Sequence, residues 1–152
     1  KGYFLNDAVI SKGGISRMFE MSIDCNQDFI YNLAGDGLII SSPVGSTAYS
    51  LAAGGPIIHP DVNSLTLTPV CPHSLTHRPL VLSDQSAILV KPNHDDSVIS
   101  VTLDGQEVID LENGTSVRIT KSKTRYVQLI QNPDRSYFHT LKEKFTHGKR
   151  TY

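Results

Sequence analysis

Ile15, Arg17, Phe19, Met21 and Ile23 alternate with Ser16, Met18, Glu20, Ser22 and Asp24, the two-residue period of a strand that buries one face. Asn26, Gln27 and Asp28 supply turn chemistry before the run from Phe29 to Leu33, so the pattern predicts a hairpin that delivers the chain to Gly35. Leu38, Ile39 and Ile40 read as a short buried strand, and Ser64 to Val70, bounded by Pro60 and Pro69, as another. Between them, Gly45 to Ala53 reads as a short helix with Ser46 or Thr47 as N-cap, stopped by Gly54, Gly55 and Pro56.

The strongest β pattern lies further on. Val98 to Leu103, the turn Asp104 and Gly105, and Gln106 to Leu111 predict an Asp-Gly hairpin. Asn113 and Gly114 then turn the chain back through Val117, Arg118 and Ile119, and Arg125 to Ile130 is expected to extend the meander. Phe138, Leu141 and Phe145 recur at helical spacing behind Asp134, Arg135 and Ser136, which predicts an amphipathic terminal helix packed on the sheet or on another domain. The expected fold is mainly β: a multi-stranded β-sandwich with a short helix after the strand at 38–40 and a C-terminal helix.

Composition narrows the function classes. A chain of 152 residues, 39% hydrophobic and 19% charged, is an ordinary globular domain with enough length for a core. A net charge of −1 argues against nucleic acid as partner, and Lys142, Lys144, Lys149 and Arg150 read as a solvated helix face. No apolar stretch reaches the roughly 20 residues needed to span a bilayer, and no signal peptide is visible, so no membrane partner is expected. Cys25 and Cys71 lack metal-ligand spacing and read as reduced thiols of a cytoplasmic protein. His73 and His77 are four residues apart, but Pro72 and Pro79 disfavour a helix that would align them. His59, His94, His139 and His147 do not complete a ligand set, and no metal site is expected.

The segment from Gly35 to Pro60, GDGLIISSPVGSTAYSLAAGGPIIHP, concentrates the candidate chemistry. It sets a lone acid, Asp36, between glycines that leave room for close approach, then a strand, then a small-residue helix entry whose free N–H groups would suit a phosphate, a ribose hydroxyl or a carboxamide. Local chemistry alone leaves this reading and an ordinary strand, turn and capped helix both open.

The whole string resembles the signature of the NAD kinase family, in which a GDG precedes a strand, TPTGSTAYS and a GGP. Ser42 and Val44 stand where the commonest pattern has threonines. The resemblance extends to Leu5–Ile10, similar to the family's LNE/D segment, to TPVCPHSLTHRPLV at 68–81, and to the DGQ of Asp104, Gly105 and Gln106. It implies that residues 1–152 form the C-terminal dinucleotide-binding β-sandwich domain of such a kinase. The family's GGDGT motif, carried on a preceding Rossmann-like domain, does not occur here, and the chain starts at Lys1 rather than Met. A fragment or processed product that does not phosphorylate NAD unaided is the expectation.

The resemblance also assigns roles. Asn6 and Asp7, otherwise explicable as a turn or cap, would hold ribose hydroxyls. Asp36 would contact the nicotinamide end of the dinucleotide, offered across a subunit interface. Thr47, Ala48, Tyr49, Ser50, Leu51 and Ala52 would line the pocket, although Leu51 also suits a core. Arg17 is either a dinucleotide contact or a surface arginine. Gln106 would contact the ligand through its amide while Asp104 and Gly105 serve the turn. Ala34 occupies a position where some relatives carry a basic residue. No catalytic residue is assigned within the chain. For the full enzyme the resemblance implies NAD and ATP as substrates, polyphosphate as an alternative donor, a divalent cation such as Mg²⁺, and a homodimer or homotetramer. A noncatalytic dinucleotide-binding or oligomerisation module is the alternative. A lipid kinase of related fold is disfavoured by the unbroken GSTAYS.

Overall fold

The computed structural model describes residues 1–13, 19–93, 98–130 and 132–146, in two compact units, Lys1–Ser122 and Lys123–Tyr152. In the first unit a six-stranded antiparallel sheet is ordered β6-β5-β4-β1-β8-β9. Its strands are β1 (Asp7–Lys12), β4 (Gly37–Ser41), β5 (Ser64–Val70), β6 (Leu80–Ser83), β8 (Ile99–Leu103) and β9 (Glu107–Leu111). A four-stranded sheet, β10-β7-β2-β3, is built from β2 (Phe19–Cys25), β3 (Asp28–Gly35), β7 (Ile88–Pro92) and β10 (Val117–Ile119).

The alternation read from the sequence sets the inner faces. Ala8, Ile10, Leu38, Ile40, Leu67, Ile99, Val101 and Leu103 of the large sheet join Phe19, Met21, Ile23, Leu33, Ile88, Val90 and Ile119 of the small one in a single buried cluster. This is a β-sandwich core, in which every second residue of each strand is withdrawn from water. The intervening residues of the large sheet make its outer face, where register aligns Asp7 with Ser41, Val9 with Ile39 and Ser11 with Gly37. β8 adds Thr102 opposite Val9.

The structure corrects several expectations. Arg125–Ile130 is not a strand. β10 does not return beside β9 but pairs with β7 in the other sheet, so the chain crosses between layers after the Asn113–Gly114 turn instead of continuing a meander. β6 and β7, not singled out from the pattern, complete the two sheets. Pro69 lies inside β5, paired with Leu38; β6 covers β5 only from Ser64 to Leu67, so the missing proline N–H falls beyond that ladder. The stretch expected as one helix is a 3₁₀ turn, Val44–Thr47, followed by one α turn, α1 (Tyr49–Ala52). Neither Ser46 nor Thr47 caps it: Pro43 and Ala48 occupy the cap positions with no side-chain bond.

In the second unit, α2 (Tyr137–Thr146) occupies the stretch where the helical spacing of Phe138, Leu141 and Phe145 predicts a helix. Ser136 Oγ accepts the His139 N–H at 3.2 Å, an N-cap bond. Glu143 pairs with Arg135 and, one turn back, with His139.

Candidate functional site

A cleft of about 710 Å³ opens on the outer face of the large sheet, on the side away from the sandwich core. Its floor comes from β1 (Asp7, Val9, Ser11), the start of β4 (Gly37), the end of β5 (Val70, with Cys71 beyond) and β8 (Thr102). Asn6, Asp36, Ala48, Tyr49, Asp104 and Gly105 complete the lining. Strand alternation explains the floor: Asp7, Val9 and Ser11 share the face opposite Ala8 and Ile10, which are buried in the core.

Two loops meet at one end because a glycine lets them. A Cβ on Gly45 would lie 2.0 Å from the carbonyl oxygen of Asn6 and 2.6 Å from its Cα, so the backbones of the Asn6–Asp7 segment and the GST turn can touch only without a side chain there. Ser42 tightens the junction. Its N–H donates to the Asn6 carbonyl at 2.9 Å, its hydroxyl donates to the Leu5 carbonyl at 2.5 Å, and the same oxygen accepts the Gly45 N–H at 3.2 Å.

Asp7 is 4% exposed, and its carboxylate accepts no hydrogen bond from another described residue. Burial, with a smaller contribution from the neighbouring Asp104 charge, raises its carboxyl above the usual carboxylate range. Asp36 stands exposed where β5 ends, its N–H bonded to the Val70 carbonyl at 2.9 Å. Its carboxylate accepts a hydrogen bond from Cys71, which raises the thiol above its ordinary value. The glycines flanking Asp36 serve packing: a Cβ on Gly35 would meet the Val70 carbonyl oxygen at 2.9 Å, and one on Gly37 the Ile10 carbonyl oxygen at 2.6 Å. Tyr49, half exposed, offers its ring and hydroxyl to the cleft.

The cleft therefore gathers Asn6, Asp7, Asp36, Ala48 and Tyr49. Thr47, Leu51 and Ala52 lie on the adjoining turns without lining it, and Ser50 is fully buried with its hydroxyl 2.9 Å from Thr68 Oγ1. Gln106 is exposed on the hairpin turn, one residue beyond the lining residue Gly105. Arg17 lies outside the described residues. Val9, Ser11, Val70, Cys71, Thr102 and the turn pair Asp104–Gly105 were not singled out for the cleft from the sequence. The period of two in β1 and β8 carried the signal for the strand residues, but only register shows that these faces adjoin.

A second, polar cleft of about 520 Å³ involves Glu20, Ser22, Asn32, Lys91, Asn93, His73, Ser74 and His77. The 73–77 loop is not helical, and the His77 ring lies 5.0 Å from that of Tyr31. Among the described residues no three His, Cys, Asp or Glu side chains converge as a metal-binding group, both cysteines are free, and no helix is long and apolar enough to cross a membrane.

The sequence and the fold have counterparts among known proteins. The chain is 44% identical over 147 residues to the NAD kinase of Trichlorobacter lovleyi, a match covering 96% of this chain and 51% of the relative. It is 43% identical over 148 residues to that of Aquifex aeolicus, covering 97% and 53%. The chain thus spans about half the length of the curated relatives it matches. Among solved structures, yeast NADH kinase complexed with NADH superposes with a TM-score of 0.78 at 25% identity, over 98% of this chain and 46% of that one. An Archaeoglobus fulgidus NAD kinase in complex with ATP superposes at 0.71 and 25% identity, over 79% and 46%. With the ATP-NAD kinase C-terminal domain matched across residues 5–131, and with the sandwich shared by both kinase structures, the chain belongs to the ATP-NAD kinase C-terminal domain family.

Proposed function

We propose that this chain is the acceptor-binding part of an NAD kinase: it holds NAD in the cleft on the large sheet while a phosphoryl group is passed to the 2′-hydroxyl of the adenosine ribose, giving NADP. The observation that carries the reading is Asp7, a carboxylate 4% exposed that lines the cleft and accepts no hydrogen bond from another described residue. Burial disfavours its charged form, and a vicinal pair of ribose hydroxyls supplies two donors that would offset this. Asn6, beside it, fixes the sugar edge. Tyr49 offers a flat apolar surface with a polar tip. Asp36, at the β4–β5 end, can accept from the carboxamide N–H₂ of a nicotinamide.

In this reading the chain contributes positioning, which accounts for a large share of the barrier reduction in transfer reactions. The 2′-oxygen bonds to the terminal phosphorus of ATP, the bond to the departing ADP oxygen breaks, and the hydroxyl proton passes to a base outside this chain. In this proposal the phosphoryl donor, ATP or polyphosphate, and that base belong to a GGDGT-bearing domain outside this chain. A divalent cation such as Mg²⁺ would neutralise phosphate charge in the full enzyme; the described residues offer it no converging ligand set. The isolated chain is therefore expected to bind NAD without phosphorylating it. A cytoplasmic homodimer or homotetramer is the proposed working state.

Calorimetric titration of the purified chain with NAD and NADP, beside an Asp36→Ala/Tyr49→Ala variant, tests the proposal. Saturable binding that the folded variant loses supports it. Absence of binding by the folded wild-type chain, or undiminished binding by the variant, removes the acceptor site from this cleft.

A further inference from the structure

Asp104 sits at positive φ in the β8–β9 turn, where an Asp-Gly pair needs no explanation beyond chain reversal. Its side chain does something a turn does not require. Oδ2 accepts the Leu5 N–H at 2.8 Å, and Oδ1 accepts the N–H groups of Asn6 at 2.7 Å and Asp7 at 3.1 Å. The Asp104 N–H in turn donates to the Asp7 carbonyl at 2.9 Å. Both carboxylate oxygens are thus committed to the backbone of the segment that carries Asn6 and Asp7.

We propose that Asp104 is a positioning residue of the acceptor site: through three backbone N–H groups it fixes the Asn6–Asp7 segment at the cleft, so that the two side chains meet the ribose without first being ordered. The inference rests on the function proposed above and deepens it.

Leu5 and Asn6 precede β1, which begins at Asp7, so no strand ladder holds their amides; the carboxylate takes that place with charge-assisted bonds, the stronger kind. The opposite side of the segment is held independently, by Ser42 on the carbonyls of Leu5 and Asn6. With amides and carbonyls both clamped, the segment gives up its conformational freedom on folding instead of on binding, which spares affinity. Finally, an amide at 104 would offer only one acceptor oxygen to three N–H groups, so only a carboxylate can make all these bonds. Its charge also favours the protonated form of Asp7, which raises the basicity of the group offered to the ribose hydroxyls.

The test combines hydrogen exchange with titration of NAD into this chain, as wild type, Asp104→Asn, and the control Asp110→Asn on the exposed side of β9. In the wild type the Leu5 and Asn6 amides should exchange at least tenfold more slowly than an open segment allows; free exchange there overturns the proposal without any variant. Asp104→Asn should keep the melting temperature within a few degrees, speed exchange at residues 5–7 but not at Val101 or Ile109, and weaken NAD binding by tenfold or more, while Asp110→Asn leaves all three readouts unchanged. Faster exchange with unchanged NAD affinity shows a merely structural clamp and overturns the positioning role. Should Asp104→Asn not fold, Asp104→Glu keeps the charge, moves it by one methylene, and is expected to show the same selective loss. Equal binding by wild type and variant removes positioning alone, whereas absence of NAD binding by the folded wild type removes the acceptor-site reading beneath it.

Discussion

The hydroxyls of Ser50 and Thr68 lie 2.9 Å apart with both residues fully buried, which pins α1 to β5 beside the cleft. The Ser50 carbonyl also accepts the Gly55 N–H at 2.8 Å, so this serine orders both the turn and its exit. Ser50→Ala should leave the Thr68 hydroxyl without its partner and cost about 1–3 kcal/mol. In a double-mutant cycle, Ser50→Ala with Thr68→Val should recover part of that loss. Urea denaturation of the four proteins measures it, and strictly additive losses would show that the hydroxyls do not interact.

Gly45 explains why the GST turn begins with glycine. The Cβ of Gly45→Ala would occupy the position of the Asn6 carbonyl, and the two loops would have to separate. We expect about 1–3 kcal/mol of destabilisation from the forced shift and at least tenfold weaker NAD binding, since Asn6 and Ala48–Tyr49 would no longer meet across the cleft. Unchanged melting temperature and affinity would show that the contact can relax freely.

Burial raises the Asp7 carboxyl above its ordinary value of 3.8. Between unfolded and folded pKa values the native state therefore holds the proton more tightly than the unfolded chain, so Asp7 favours folding in acid and this contribution is lost as pH rises through the folded pKa. At pH 7 Asp7→Asn should be more stable than wild type, by about 1 kcal/mol or roughly 2–4 °C in melting temperature. The advantage should shrink below the ordinary carboxylate value, where wild-type Asp7 is neutral in both states. NAD affinity should fall in the same variant. Melting curves from pH 3 to 8 decide the matter, and a variant less stable at pH 7 contradicts the assignment.

Cys71 is exposed at the cleft, yet a hydrogen bond to Asp36 and the charge of that carboxylate raise its thiol. Because the thiolate is the reactive form, alkylation at pH 8 should be slower than for an unhindered cysteine. Asp36→Asn should speed it severalfold, and saturating NAD should slow it. Peptide mapping separates Cys71 from Cys25. No change in the Cys71 rate on replacing Asp36 would mean that the two groups do not interact in solution.

Much of the fold was legible because strand period is local. The alternation at Phe19, Met21 and Ile23 and the turn chemistry at 26–28 gave the β2–β3 hairpin, and Asp104–Gly105 gave β8–β9. The reading failed where partner choice is nonlocal. Arg125–Ile130 has strand composition but forms no strand, and Val117–Ile119 pairs with β7 in the other sheet. A short edge strand such as β6 buries too little to show a clear period. The capping serine expected at 46 is recruited instead to the Ile58 N–H and the Pro43 carbonyl, the latter three residues away and the former twelve.

The mainly β class and the positions of most turns are written in the sequence, because period-two patterning and turn chemistry are properties of neighbours in the chain, whereas the candidate dinucleotide contacts are named only through the family resemblance. Folding in three dimensions adds what no local pattern carries: Asp104, 97 positions from Asp7, reaches its backbone, Asp7 is buried, and Asp36 shares its cleft. Burial, hydrogen-bond satisfaction and electrostatic coupling depend on distance in space, and here strand register brings the β1, β4 and β8 segments to one face.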